Sequence, residues 1–194
     1  SQEEKWQAAD YIFSQGKRLE SLSYKLLDLF VLQQQELTFA PVSSSELTDA
    51  IVPMMKQNLA AKDVMLSMHL APATLYGDKD LLLSLLINLI DNARKASSSG
   101  DTITVLGYSD NDYYCISVQD TGKGIPADEI DKITKPFYMV DKSRAREQGG
   151  SGMGLALCAR IAALHGTTLQ FASVPSQGTT VSFCLQKAGG QPEG

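Results

Sequence analysis

One segment, residues 78–98, constrains the fold most, because it is apolar along one face and polar along another. Its apolar side chains recur at helical spacing and predict a helix that packs on a sheet: Leu82, Leu86, Leu89, Ile90 and Ala93. Asn88, Asn92 and Lys95 recur at i, i+4 and i+7, so they project along one stripe. Two carboxamides in an apolar helix are costly unless something satisfies them. A hydrated metal ion with phosphates would do so. From this helix alone, capping of neighbouring loops is an equally good interpretation.

Length and composition narrow the class of protein. A chain of 194 residues holds one good-sized core, or one domain with an appendage. The net charge of −5 and the lack of a basic patch argue against nucleic-acid binding. An anionic ligand stays open, because a helix N-terminus binds phosphate without net positive charge. No apolar run approaches the ~20 residues that a membrane span needs, and no signal peptide is recognisable.

The cysteines indicate a reducing environment. Cys115, Cys158 and Cys184 are odd in number, widely spaced and form no C-x-x-C pair. We therefore expect reduced, mostly buried thiols of a cytoplasmic protein.

The N-terminal residues 1–35 predict one long helix with a single apolar seam. A helix of this length cannot bury such a seam alone. It either lies on its own domain or pairs with a helix missing from this chain or a second copy, and we favour the pairing.

The rest of the chain alternates between strand-like and helix-like segments. Strands are predicted at residues 36–42, 64–70, 102–109, 113–119, 168–173 and 179–185. Helices are predicted from a Ser43 cap to about Ala61, with Pro53 in its early turns or bending it, and at 78–98, 128–133 and 155–164. The charged stretch 141–148 is predicted to be a mobile loop, and the tail from Ala188 to be disordered.

Two glycine-rich segments contain further groups that could bind a ligand. Gly150, Gly152 and Gly154 precede a predicted helix, whose first N–H groups attract phosphate. Asp120, Gly122 and Gly124 follow a strand, where a carboxylate can accept from an exocyclic amine. Each segment taken singly is better explained as a glycine-rich turn. The first is neither a P-loop nor a dinucleotide fingerprint.

Four motifs in a fixed order change that interpretation. The segments NLIDNARKA, DTGKGIP, KPFY and GGSGMGLAL resemble the N, G1, F and G2 boxes of the ATP-binding domain of sensor histidine kinases, the kinase branch of the GHKL ATPases. The resemblance covers about residues 36–187. Residues 1–35 resemble the second helix of the family's dimerisation and phosphotransfer hairpin, and residues 188–194 would be a tail.

The resemblance implies a fold and a role for each motif residue. The expected fold class is α+β, an α/β sandwich with a mixed, mostly antiparallel sheet and helices on one face. Asn92 would ligate Mg²⁺, and Asp120 would bind the adenine amino group. Lys95 and Arg144 would contact the phosphates. The other residues that it assigns to the nucleotide site are Gly122, Gly124, Ile125, Phe137, Tyr138, Lys142, Gly150, Ser151, Gly152, Met153, Gly154 and Leu155.

Asn88 and the histidines bear on the reaction. Asn88 stands where ATPase relatives have a glutamate that activates water; an asparagine cannot act as that base, which favours phosphotransfer over hydrolysis. Neither His69 nor His165 lies in the family's phosphoacceptor motif, so we expect the acceptor histidine upstream of Ser1. The family's usual arginine is Met139 here, and the aromatic residue after the N-box lysine is Ala96.

The resemblance therefore implies a protein-histidine kinase fragment that uses ATP and Mg²⁺. The γ-phosphoryl group would pass to the upstream histidine and then to an aspartate of a response-regulator receiver domain. The full-length protein would be a homodimer. We expect this fragment to be cytoplasmic, as the cytoplasmic part of a membrane-bound sensor or otherwise, without membrane or nucleic-acid contacts. The alternatives are a GHKL serine kinase of the anti-sigma class and a degenerate scaffold that binds ATP or nothing.

Overall fold

The structure is a computed structural model that describes residues 37–140 and 152–189, together with residues 2–3, 5–9, 11–16, 19–20 and 23. The described residues before position 24 are helical, and their large apolar side chains, such as Trp6 and Phe13, are exposed. The predicted helix 1–35 and its pairing lie largely outside the described residues and stay predictions. The predicted loop 141–148 also lies outside them.

Five strands form the main sheet, in the order β2–β4–β5–β7–β6. β2 pairs with β4 in parallel, and the other pairs are antiparallel. The strands are β2 (Met65–Leu70), β4 (Thr102–Asp110), β5 (Tyr113–Asp120), β6 (Gln170–Val174) and β7 (Gly178–Gln186). Two short strands, β1 (Ala40–Ser43) and β3 (Thr74–Gly77), form a separate antiparallel pair. The mixed, mostly antiparallel sheet confirms the expected fold class.

Three helices cover one face of the sheet: α1 (Ser44–Ala60), α2 (Lys79–Ala96) and α3 (Gly154–Leu164). The apolar stripe predicted for α2 is buried, with Leu86 and Ile90 fully inaccessible, and it packs against inward residues of the sheet such as Ile116 and Phe183. Asp78 caps this helix by accepting from the Leu81 N–H at 3.2 Å. No described helix is both long and apolar enough to cross a membrane.

Several element boundaries differ from the sequence-based expectation. The strand expected at 36–42 begins only at Ala40, because the Thr38 N–H donates to the Asp78 carboxylate at 3.2 Å instead of a neighbouring strand. The strand β3 was not predicted. Pro53 lies in the middle of α1, on its exposed side, and not in its early turns. In place of the helix expected at 128–133 there is a single 3-10 turn, Ala127–Glu129.

The chain end and the cysteines also correct the expectation. Ala188 is not disordered, because its N–H donates to the Thr74 carbonyl at 2.9 Å. Cys115 and Cys184 form a disulfide, since the register of β5 and β7 sets them directly opposite each other. The expectation of three reduced thiols is therefore wrong. Cys158 is buried in the core, as expected, and takes no part in a disulfide.

The start of α2 is fixed by the imidazole of His165, which follows α3. The Asp78 N–H donates to His165 Nε2 at 3.1 Å, and His165 Nδ1 lies 2.9 Å from the Ile161 carbonyl oxygen. Phe39 packs edge-on against the same ring at a centroid distance of 5.1 Å. His165 therefore has a structural role, joining the C-terminus of α3 to the N-terminus of α2.

Replacing His165 by alanine is expected to lower the free energy of unfolding by about 1–3 kcal/mol. The Asp78 N–H would lose its acceptor in a partly buried position, and Phe39 would lose a ring contact. His69→Ala is the matched control, because His69 is exposed on the edge strand β2 and its Nε2 lies 2.9 Å from the hydroxyl of Ser67 on the same strand. Urea unfolding of both variants measures the difference. Equal losses would contradict the role given to His165.

Candidate functional site

A cavity of about 220 Å³ lies between the C-terminal half of α2, the start of α3 and the inner faces of β5, β6 and β7. It brings together residues that are far apart in the sequence. Nine of the residues that the resemblance assigns to the nucleotide site line it: Asn92, Lys95, Asp120, Gly124, Ile125, Tyr138, Gly152, Gly154 and Leu155. The three glycine- and asparagine-bearing segments thus converge on one space, as their order along the chain suggested.

Asp120, the last residue of β5, lines this cavity. It is 6% exposed, and its Oδ1 accepts from the Gly122 N–H at 2.9 Å. Burial raises the pKa of the Asp120 carboxyl, and hydrogen bonds from the backbone N–H groups of Gly122 and Thr179 oppose that rise. The carboxylate is thus an oriented acceptor in a desolvated pocket, suited to an amine donor of a planar ligand.

Gly122 sets the position of the loop after Asp120. A Cβ on Gly122 would lie 2.4 Å from the carbonyl oxygen of Ala96, at the end of α2. A side chain is therefore excluded, and the loop lies directly against the helix end. Gly122 does not line the cavity itself, and it affects the pocket only by fixing the position of this loop.

The two carboxamides of α2 meet the start of α3, where Asn92 and Gly154 line the cavity. A Cβ on Gly154 would lie 3.5 Å from Asn88 Oδ1 and from both terminal atoms of the Asn92 side chain. Asn88 is satisfied locally, because its Nδ2 donates to the Ser84 carbonyl at 2.8 Å. Asn92 Nδ2 is buried without a hydrogen-bond partner, alone among the side chains of the described residues. An unsatisfied buried amide that faces a cavity points to a polar ligand.

The first turn of α3 offers backbone donors at the same place. The N-cap residue is Met153, which is fully buried and has no side-chain oxygen to cap the first N–H groups. These groups and the positive end of the helix dipole favour an anion beside Asn92. A Cβ on Gly154 would make ordinary van der Waals contact with both asparagines, so the start of α3 lies directly beside them and its backbone N–H groups and the carboxamides can contact one ligand together.

Lys95 lines the cavity but is paired with a neighbour on its own helix. Its Nζ lies 2.7 Å from Asp91 Oδ2, and Arg94 contacts Asp91 Oδ1 at 2.8 Å. Burial acts to raise the pKa of the Asp91 carboxyl, yet Lys95 and Arg94 outweigh it and hold that pKa below its usual value. The ammonium group is thus positioned at the cavity by Asp91.

Residues 137–140 and 152 form the described border of the cavity next to the undescribed segment. The Phe137 N–H donates to the Gly152 carbonyl at 3.0 Å, which joins the two ends of that segment. The Tyr138 hydroxyl donates to the Glu129 carboxylate, and Tyr138 and Met139 both line the cavity. Phe137 is 53% exposed and does not line the cavity. Lys142, Arg144, Gly150 and Ser151 lie outside the described residues.

The apolar walls of the cavity were not predicted as part of a site. Val118, Phe171 and Val181 project inward from β5, β6 and β7, and Thr179 lies opposite Asp120 in the register. The alternating pattern of each strand indicates an inward side chain. Only the pairing of the strands shows that these particular side chains share one pocket, next to Leu89 and Ala93 of α2.

Comparison with known proteins agrees with this geometry. Residues 77–189 match the family described as histidine kinase-, DNA gyrase B- and HSP90-like ATPase. The chain is 33% identical over 172 residues to the phosphate regulon sensor protein PhoR of Pseudomonas aeruginosa, covering 86% of this chain and 38% of PhoR. The chain thus spans well under half of this relative.

Two solved structures share the fold. One is full-length ShkA in complex with AMPPNP, with a TM-score of 0.76, 24% identity and coverage of 90% of this chain and 37% of that one. The other is the histidine kinase ThkA in complex with the response regulator protein TrrA, with a TM-score of 0.73, 20% identity and coverage of 92% and 50%. The matched span holds the asparagines of α2, Asp120 and the start of α3, and this chain belongs to the family of histidine kinase-, DNA gyrase B- and HSP90-like ATPases.

Proposed function

We propose that this chain is the ATP-binding catalytic part of a sensor histidine kinase. It would bind Mg²⁺-ATP in the cavity between α2 and α3 and transfer the γ-phosphoryl group to a histidine outside the chain. A response-regulator aspartate would receive it next. One observation supports this most: a single cavity is lined both by a buried carboxylate and by an unpartnered carboxamide beside a helix N-terminus.

Asp120 suits the adenine base of ATP, and Asn92 with the start of α3 suits its triphosphate. Asp120 would accept from the adenine amino group, while Val118 and Phe171 would contact the ring. The triphosphate would lie towards Asn92 and the first N–H groups of α3. The AMPPNP complex of ShkA, which shares the fold, supports a nucleotide in a protein of this architecture.

The donor set at Asn92 fits Mg²⁺ held jointly by protein and phosphate. The described residues contain no cluster of three or more His, Cys, Asp or Glu side chains able to hold a metal ion. Mg²⁺ accepts this arrangement, because it keeps several waters and is commonly bound by one or two protein oxygens together with substrate phosphates. Bound there, Mg²⁺ would neutralise charge on the phosphates. The side-chain carbonyl of Asn92 would supply the protein ligand.

The residues at the phosphate end favour transfer over hydrolysis. Asn88 has no basic atom that could take a proton from water, and its amide already donates to the Ser84 carbonyl. Asp120 is the single carboxylate among the described residues that line the cavity, and the proposal assigns it to the adenine amino group. Lys95, held by Asp91, would contact the phosphates together with Arg144. The described part of the site would thus position ATP for an acceptor that another segment brings.

Calorimetric titration with ATP tests the site. The wild-type chain is expected to bind at micromolar concentration, more tightly with Mg²⁺ than without. Asn92→Ala should weaken binding in Mg²⁺ at least tenfold and remove the effect of Mg²⁺, because the protein ligand is lost. Asn58→Ala, at an exposed position of α1, is the matched control and should bind as the wild type does. Absence of heat, together with absence of thermal stabilisation by ATP, would overturn the nucleotide site.

Phosphotransfer needs its own experiment, since this chain holds no acceptor histidine that we recognise. A version extended upstream through the expected phosphoacceptor helix should gain acid-labile, base-stable phosphate from ATP. The same phosphate should then appear on a receiver domain, in keeping with the ThkA complex with its response regulator protein. Binding of ATP without any phosphohistidine in the extended homodimer would favour the scaffold alternative, and phosphoserine on a partner would favour the serine-kinase alternative.

A further inference from the structure

The disulfide lies on the face of the sheet that the helices do not cover. Tyr114, Ile116 and Val118 of β5 point into the core, so Cys115 between them points to the opposite face. Its partner Cys184 alternates in the same way with buried Phe183 and Leu185 of β7. The bond therefore joins the two central strands from outside and contributes nothing to the nucleotide cavity.

Of the two bonded cysteines, Cys184 is the less buried. Cys115 is 8% exposed, with Tyr108 of β4 directly opposite it in the register. Cys184 is half-buried on the other side, because the pairing of β6 with β7 ends at Gln170 and Ser182. Cys184 thus lies beyond the end of β6, and on that side it pairs with none of the strands in the described part of the chain. We therefore expect a small thiol to reach Cys184 more readily than Cys115.

We propose that Cys115–Cys184 is a reversible exchange site for small thiols of the glutathione class. The thiolate of one small thiol attacks Cys184 Sγ, forms a mixed disulfide and releases Cys115 as a thiolate. A second small thiol attacks the mixed disulfide, releases Cys184 and leaves as the oxidised dimer. Both cysteine thiolates then take protons from water. Glutathione disulfide drives the same two steps in reverse.

The proposed function supplies a reason for reversibility, and to that extent the inference rests on it. A domain that uses ATP works where cellular thiols keep most cysteines reduced, and disulfides there are usually transient or redox-sensing. A bond that connects residues 69 apart restricts the unfolded chain strongly. The oxidation state of Cys115 and Cys184 should therefore determine the unfolding temperature of the chain.

Because of its position, the disulfide should affect the stability of the fold and have little effect on ATP binding. Cys115 and Asp120 are five residues apart on β5, about 16 Å at strand spacing. Cys184 and Thr179 have the same separation on β7, and we expect the backbone register pairs between them to persist when the bond is open. Opening the disulfide should thus lower the unfolding temperature by about 5–10 °C and change ATP affinity at 25 °C less than threefold.

Alkylation in glutathione buffers tests the exchange independently of ATP. The native chain is equilibrated across a range of glutathione to glutathione disulfide ratios, quenched with acid, alkylated and mapped by mass spectrometry. Cys115 and Cys184 should become labelled together at reducing ratios and protected at oxidising ones. Cys158, buried in the core, should stay unlabelled throughout and reports that the chain remains folded. Labelling of both cysteines at every ratio, or protection until the chain unfolds, would overturn the proposal.

Thermal unfolding tests the consequence. The oxidised wild type should unfold 5–10 °C above the reduced form, and the Cys115→Ser/Cys184→Ser double variant should unfold at one low temperature in both buffers. Equal unfolding temperatures of the two wild-type forms would contradict the proposed effect on stability. If the chain binds no ATP, the proposed function fails while the labelling result still decides the exchange site.

Discussion

Asp120→Asn is expected to weaken ATP binding by about 30–100-fold, on the order of 2–3 kcal/mol, and to leave the fold intact. The carboxylate oxygens accept from the Gly122 and Thr179 backbone N–H groups, so an asparagine must turn its oxygen towards these donors. Its amide NH₂ then faces the cavity, where the adenine amino group is also a donor. The substitution replaces a charged hydrogen bond by a contact between two donors.

The same argument predicts a change in base preference. Inosine triphosphate presents an acceptor where ATP presents the amino group. The wild type should therefore prefer ATP, and Asp120→Asn should bind inosine triphosphate at least as well as ATP. Calorimetry with both nucleotides measures the ratio. Asp112→Asn, in the exposed turn between β4 and β5, is the control and should keep the wild-type preference. An unchanged preference in Asp120→Asn would remove Asp120 from the adenine contact.

Stability without nucleotide should not fall in this variant. Burial raises the pKa of Asp120 above its unfolded value of 3.8, so the folded chain loses stability as the pH rises through that raised pKa. At a pH above this raised pKa, the buried carboxylate of the folded wild type is ionised, and the cost of burying its charge lowers the free energy of unfolding. The neutral asparagine of the variant does not have this cost. The variant should unfold at the same or a higher temperature than the wild type at pH 7. Below about pH 4 this advantage should disappear, because both forms of the side chain are then neutral.

What the sequence predicted was local or periodic in origin. The apolar spacing and the Asp78 cap defined α2 almost to the residue, because burial of Leu86 and its neighbours requires that period. The strand β3 has only four residues and pairs with a strand equally short, so alternation had too little length to show. The Cys115–Cys184 bond depends on the register of β5 and β7, which no local pattern encodes.

The residues of the site also fall into those that the sequence predicted and those that it did not. Asn92, Asp120 and the glycines stood out because polar or flexible residues in apolar surroundings need an explanation, but only the order of the four motifs assigned them to one site. Phe171 and Val181 were missed because an inward apolar residue of a strand looks the same whether it faces core or cavity. Only the tertiary arrangement of α2, α3 and the sheet separates the two.

Gly124→Ala is expected to destabilise the chain by about 3–5 kcal/mol, a loss of roughly 10–15 °C in unfolding temperature. A Cβ at this position would lie 2.1 Å from the Val174 carbonyl oxygen at the end of β6. The loop cannot move away easily, because hydrogen bonds on either side attach it there. The Ile125 N–H donates to Ser173 Oγ and the Ser176 N–H to the Lys123 carbonyl, both at 2.8 Å. Backbone atoms, not a flexible side chain, would have to shift.

Gly100→Ala separates this clash from backbone strain. Gly100 has a φ of +85° and Gly124 a φ of +66°, so alanine is strained at both positions. A Cβ on Gly100 would meet nothing within 4 Å, so the control should lose only about 1–2 kcal/mol. Urea unfolding of both variants gives the difference that belongs to the contact with Val174. Because Gly124 and Ile125 line the cavity, ATP binding should fall in the first variant and persist in the second. Equal losses of stability would mean that the loop after Asp120 is not held against β6.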